Sequence, residues 1–235
     1  MTAELKAARQ DATLTITLSN PGSDNALDPS MLVAAIETLS AVDRDESVRA
    51  VVITGADGQF CRGLDLPKDM PSRLLALESL HSLIDLLRSY RKPVIAAVDG
   101  IVADAGVALA LACDLVVATR QAHFSLSPAQ RGVWANGGVA WLLAHALPPA
   151  LLAELHLDAT PMPAQRLHAA GALNRLAADG RALEEAQAWA ERIAAQTPAA
   201  PQAVEQLKEL LHGARSQSLG EHFSGEKHRL AAQRG

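Results

Sequence analysis

Three short apolar runs constrain this chain more than any other feature. Ala50-Val51-Val52-Ile53-Thr54, Val94-Ile95-Ala96-Ala97-Val98 and Leu115-Val116-Val117-Ala118 are too short for helices and too apolar for strands with one face in water. Each therefore reads as a strand buried on both faces. The first closes at Gly55, the second follows Pro93 and closes at Gly100, and the third follows Asp114. Between the first two, Arg73 to Tyr90 carries Leu77, Leu80, Ile84 and Leu87 at helical spacing. Buried strands alternating with helices predict an α/β fold around a mainly parallel sheet, because parallel neighbours need long crossovers.

The flanking segments fit that frame. Ala12 to Leu18 alternates polar and apolar residues and stops at Asn20-Pro21-Gly22, the pattern of a half-buried strand. Asp28 followed by Pro29 is a helix start, and Leu32, Ile36 and Leu39 continue the periodicity to about Val42. From Val139 onward the chain is rich in Ala and Leu, with breaks at Pro148-Pro149, Pro161 to Pro163, Gly180 and Pro198. Within it, Arg181 to Gln196 sets Leu183, Ala186, Ala190 and Ile193 on one stripe. The expected organisation is a core over residues 1–195 and a helical region over 196–235, part of the same domain or an appendage to it.

Composition narrows the function classes. An apolar fraction of 49% over 235 residues supports a sizeable core, and 21 basic against 26 acidic residues disfavours nucleic acid or an anionic membrane as partner. Cys61 and Cys113 stand far apart, with no His or Cys at ligand spacing, so neither a disulfide framework nor a metal site is expected. With no basic leader and no long uncharged apolar window, the chain reads as soluble and cytoplasmic.

Two turns follow buried strands and offer backbone amides rather than side chains. One is Gly58-Gln59-Phe60-Cys61-Arg62-Gly63-Leu64-Asp65-Leu66, and the other is Gly100-Ile101-Val102-Ala103-Asp104-Ala105-Gly106-Val107-Ala108. Were they to converge, one amide from each would reach a single oxygen and stabilise a developing enolate or tetrahedral oxyanion. A helix starting near Ala105 would add its positive end. The plain alternative is a pair of ordinary strand-to-helix turns.

Seven strings in order carry a resemblance. They are Asn20-Pro21 with Asn25-Ala26-Leu27, Val51 to Gly55, Phe60 to Leu66, Lys92 to Gly100, Ala110 to Asp114, Arg131-Gly132 before Gly137-Gly138, and Ala170 to Asn174. With these the chain resembles the crotonase superfamily, also called the enoyl-CoA hydratase/isomerase family. The resemblance implies a spiral of ββα turns with a helical C-terminal trimerisation region, and homotrimers or hexamers. It also implies an acyl thioester substrate, usually of coenzyme A, with no covalently bound cofactor. The family's two enolate-stabilising amides fall on Leu64 and Ala105.

Its two acid/base glutamates fall on Ala108 and Pro128, neither of which transfers a proton. The chain is therefore expected to be an isomerase, decarboxylase or carbon–carbon lyase rather than a standard hydratase. Alternatives are an enzyme acting on carrier-tethered acyl groups and a catalytically silent binding or assembly protein.

Three residues are candidates to replace the missing glutamates. Asp104 stands where the family has a small residue and reads as a base or as the N-cap of the following helix. Asn136 falls where some relatives keep a carboxylate, and reads as a water-holding amide or half of an Asn-Gly turn. His81 lies at the edge of an apolar helical face, as an acid or base or as a half-exposed boundary residue. For the coenzyme's phosphates, family analogy points to Arg62 and Lys68, with Gly63 and Asp65 in the same turn and Gly106 in the second. Lys92, ahead of a buried strand, reads as a snorkelling lysine.

Overall fold

The computed structural model describes residues 3–126, 137–158, 160–196, 201–214 and 217–232. A six-stranded sheet runs in the order β1 (Glu4–Gln10), β2 (Thr13–Ser19), β3 (Ala50–Gly55), β4 (Val94–Val98), β6 (Leu115–Thr119), β9 (Arg175–Ala177). Only β1 is antiparallel to its neighbour. A smaller sheet joins β5 (Ile101–Ala103), β7 (His123–Ser125) and β8 (Met162–Pro163).

The three apolar runs are the interior strands β3, β4 and β6, and the side-chain alternation of a strand explains why they needed to be apolar throughout. Val51, Ile53, Val94, Ala96, Val98, Val116 and Ala118 face one core, shared with α1 (Pro29–Val42), α2 (Met70–Ser89) and α3 (Ala105–Ala112). Ala50, Val52, Ile95, Ala97 and Val117 face the other, closed by α7 (Ala182–Gln196). The buried residues of α7 are Ala182, Ala186, Ala190 and Ala194, with Leu183 and Ile193 packed at the edges. Ala186 and Ala190 are as predicted, while Ala182 and Ala194 take the buried ends in place of Leu183 and Ile193. Alanines at every fourth residue let the helix backbone lie close to the sheet.

Local signals set the helix starts. Asp28 caps α1 by accepting the Ser30 N–H at 2.7 Å, with Pro29 in the first turn. Asp69 accepts the Ser72 N–H at 2.9 Å, so α2 begins at Met70, three residues before the predicted Arg73. The strand β1 was not legible, because nearly all of it is exposed and its residues show no alternation.

The remaining helices are α4 (Val139–Ala146), α5 (Pro149–Leu157), α6 (Ala164–Ala169), α8 (Pro201–Gly213) and α9 (Leu219–Ala232). No helix among the described residues is long and apolar enough to cross a membrane.

Candidate active site

The two glycine-containing turns meet. The first lies along β5 like a short added strand: Phe60 N–H donates to Asp99 O at 2.8 Å, Cys61 N–H to Ile101 O at 3.1 Å, and Ala103 N–H to Cys61 O at 2.9 Å. The Gln59 side chain adds a tie, its Oε1 accepting the Ile101 N–H at 2.7 Å. Parallel pairing of β3 with β4 is what makes this possible, since it delivers both turns at the same edge.

The opposite flank of the first turn is held by Leu27. Its N–H donates to Gly63 O at 2.7 Å, and its carbonyl accepts the Asp65 N–H at 2.9 Å. All peptides among the described residues are trans, so the C=O and N–H of one peptide point in opposite directions. With Gly63 O turned to Leu27, the Leu64 N–H points away from it. No hydrogen bond among the described residues uses that N–H.

The same argument fixes the second amide. Asp104 O accepts from Val107 N–H at 3.0 Å and Ala108 N–H at 3.2 Å, so it faces into α3. The Ala105 N–H therefore points back out of the helix N-terminus, and it too has no acceptor among the described residues. The partial positive charge of the helix end reinforces it. Two glycines permit this contact. A Cβ on Gly106 would stand 2.2 Å from Cys61 O, a distance no side chain tolerates, and Gly63 has φ +123. A Cβ at Gly63 would lie 3.4 Å from Asp104 Cβ and 3.8 Å from the Ala105 nitrogen. Two donor groups with no acceptor among the described residues thus border the gap between the turns, an arrangement able to bind a single oxygen carrying negative charge.

Asp104 sits beside that gap rather than capping the helix. It occupies the N-cap position with φ 47 and ψ −112, and its side chain makes no cap hydrogen bond. A capping aspartate has an extended backbone that swings its oxygen over the first-turn amides, and the positive φ forbids that swing. The capping reading is therefore corrected. Its Cβ lies 3.4 Å from where a Cβ on Gly63 would stand, so the residue borders the first turn.

The other expected residues divide. Ala108 is fully buried, and a Cβ on Gly137 would be 3.1 Å from both its Cβ and the Leu80 side chain. His81 is exposed, while α2 buries Leu80, Leu83, Ile84 and Leu87, so His81 is turned away from the core. Asn136 and Pro128 lie outside the described residues. Arg62, Asp65 and Lys68 are exposed on the first turn and just beyond it. Arg62 pairs with Asp24 at 3.0 Å. Gly106 packs directly against the Cys61 backbone, which leaves no room for a side chain there. Lys92 does not snorkel: it is buried and donates to Val42 O and, at 2.8 Å, to Asp45 O, with burial holding its pKa below the ordinary value.

Cys61 is buried, and desolvation pushes its thiol up to about 12, so it is a neutral group rather than a nucleophile. No group of three His, Cys, Asp or Glu among the described residues could hold a metal ion. Sequence reasoning missed Leu27 and Gln59, which aim the first turn, and left Asn25 as a motif letter without a role. A weak signal existed for Asn25, which adopts φ 56, a conformation that asparagine tolerates better than most residues.

The family model described as Enoyl-CoA hydratase/isomerase matches residues 8–233. A crystal structure of an enoyl-CoA hydratase from Polaromonas sp. JS666 superposes with TM-score 0.89 and 40% identity, covering 97% of this chain and 90% of that one. A putative enoyl-CoA hydratase of Thermus thermophilus is 35% identical over 83% of this chain and 79% of its own length. The 1,2-epoxyphenylacetyl-CoA isomerase of Escherichia coli is 31% identical over 78% of this chain and 73% of its own. A ββα core with two adjoining amide turns, matched nearly end to end, makes this chain a member of the enoyl-CoA hydratase/isomerase family, the crotonase superfamily.

Proposed function

We propose that the chain moves a proton on an acyl-CoA thioester through an enolate held by the Leu64 and Ala105 amides, with Asp104 as the proton-transferring group, and that it isomerises rather than hydrates. The observation that carries this reading is the pair of N–H groups with no acceptor among the described residues on two touching turns, with Asp104 immediately before the second and its Cβ beside Gly63. In the forward step, Asp104 takes a proton from the carbon next to the thioester or from its vinylogous position. The electron pair shifts onto the thioester oxygen, where the two amides and the α3 dipole stabilise it. Return of the proton at the other carbon moves the double bond and regenerates the carboxylate, so no water is added.

The buried Ala108 supports the exclusion of hydration, since no side chain at that place can activate or protonate water. Arg62 and Lys68, exposed beside the first turn, are the groups assigned to the coenzyme's phosphates. The apolar residues Leu207, Leu211, Phe223 and Leu230, each at least half exposed on α8 and α9, support assembly into a trimer or hexamer through that face.

The test is a panel of crotonyl-CoA, 3-enoyl-CoA and malonyl-CoA esters, read by enoyl absorbance and by deuterium exchange at the carbon next to the thioester. Exchange and double-bond migration are expected, with crotonyl-CoA hydration negligible. Asp104→Asn should lower turnover by about 10²–10⁴-fold with little change in ester affinity. Hydration within roughly a few hundredfold of a typical hydratase turnover overturns the reading, as does full turnover in Asp104→Asn. Decarboxylation of malonyl-CoA without exchange on the enoyl ester would replace it with the decarboxylase alternative.

A further inference from the structure

We propose that the buried side chain of Asn25 is a positioning residue for the Leu64 amide, acting through the loop of residues 20–27. Asn25 is 3% exposed. Its Nδ2 donates to Ala56 O at 2.9 Å and to Gln59 O at 2.7 Å, and its Oδ1 accepts the Asn20 N–H at 2.9 Å. The amide therefore binds both edges of the loop's root to the beginning of the first turn. Its own backbone at φ 56, next to Asp24 at φ 46, bends the chain so that the following residues run back along that turn.

The other end of the same loop grips the turn farther on. Asp24 O accepts the Arg62 N–H at 3.0 Å, Leu27 N–H donates to Gly63 O at 2.7 Å, and Leu27 O accepts the Asp65 N–H at 2.9 Å. A second asparagine fixes the link between the two ends, Asn20 Nδ2 donating to Ala26 O at 3.0 Å. The loop is thus a clamp: fastened at residues 56 and 59 by Asn25, it holds residues 62, 63 and 65, and leaves the Leu64 N–H as the group turned outward. Rotating the Gly63–Leu64 peptide requires breaking the Leu27 bond, and Asn25 restrains the loop that carries Leu27. Catalysis by aligned donors falls steeply with small misplacements, so this fastening bears on rate more than on affinity.

This inference rests on the proposed role of the Leu64 amide, and its test separates the two. The probe is butyryl-CoA labelled with ¹³C at the thioester carbonyl, whose infrared stretch moves to lower frequency in proportion to hydrogen bonding at that oxygen. The unsubstituted protein should show a clear red shift on binding. Asn25→Ser, which removes both Nδ2 bonds, should lose at least half of that shift, with affinity for the ester changed by less than about threefold and turnover lowered by about tenfold or more.

Asn20→Ala, which removes only the bond to Ala26, should show a smaller loss in the same direction and serves if Asn25→Ser does not fold. Ala190→Leu, in the second core on the other face of the sheet, should lower the melting temperature while keeping the full red shift. A full red shift in folded Asn25→Ser or, failing its folding, in Asn20→Ala overturns the clamp. An equal loss in Ala190→Leu also overturns it by showing general loosening. Absence of any shift in the unsubstituted protein overturns the amide reading itself, and the clamp with it.

Discussion

Gly106 shows how one missing methyl group decides whether two distant turns can form a site. The carbonyl of Cys61 approaches so closely that an added Cβ would lie 2.2 Å from it, and the contact is with backbone that cannot rotate out of the way. Gly106→Ala should therefore push the turns apart, costing about 1–3 kcal/mol of stability. Urea denaturation would measure that loss, and exchange at the substrate carbon should fall by at least about tenfold. A variant of unchanged stability and exchange would show that the contact is looser than drawn. Asp104 makes the complementary point. As letters, Asp before an apolar helical run is an N-cap, and only the backbone angle of φ 47 shows that the side chain is released from that duty. The roles of Asp104, Asn25 and Lys92 all turn on where a side chain finds its partners, and each has its partners or neighbours on segments remote in sequence.

At the scale of elements, the interior strands and the helix that covers them were legible because burial imposes residue types. β3, β4 and β6 face two cores at once, and no polar residue fits at most of their positions. The stripe of α7 was legible at its centre, Ala186 and Ala190, but not at its ends, since Leu183 and Ile193 compete with Ala182 and Ala194 in any helical wheel. The sheet resolves the competition by selecting the side that lets the helix come closest. Ala190→Leu should overfill that contact and destabilise the protein by about 1–3 kcal/mol, read as a lower urea midpoint. If the midpoint is unchanged, the second core has room that its zero exposure denies. The short strands β5 and β8 had no signature, because two or three residues carry no period.

Across the whole molecule, one buried ion pair fastens α8 to the core. Lys208 donates to Asp114 Oδ2 at 2.9 Å and to the carbonyls of Leu87 and Lys92 at 3.2 and 3.4 Å, and the same Asp114 oxygen accepts the Val94 N–H at 2.7 Å. Burial pushes the Asp114 pKa up, and Lys208 partly offsets it. Lys208→Met should leave that carboxylate without its cation and cost about 3 kcal/mol near neutral pH.

The deficit has a defined pH dependence. A carboxyl whose folded pKa is raised contributes most favourably when protonated, so the loss should shrink as pH falls toward the unfolded value and be complete above the folded one. Denaturation of both proteins across that range checks it. A deficit that grows in acid would mean that Asp114 is not the partner that matters. The segments joined here are far apart in the chain, and the Ala- and Leu-rich composition of the tail gave no hint that one lysine in it would be buried.

Sequence alone determined the buried strands, the two glycine turns, the helix starts at Asp28 and the family to which the chain belongs. These follow from local physical demands: a doubly covered strand must be apolar, a tight turn must contain glycine, and a helix end must find a cap. Tertiary structure alone decided which amides lack an acceptor among the described residues, that Asp104 does not cap its helix, that His81 faces away from the core, and that Asn25 ties its loop to Ala56 and Gln59. The reason is that a residue type records how much of a side chain is buried but not what it touches, and the decisive bonds here join residues 31 to 42 positions apart.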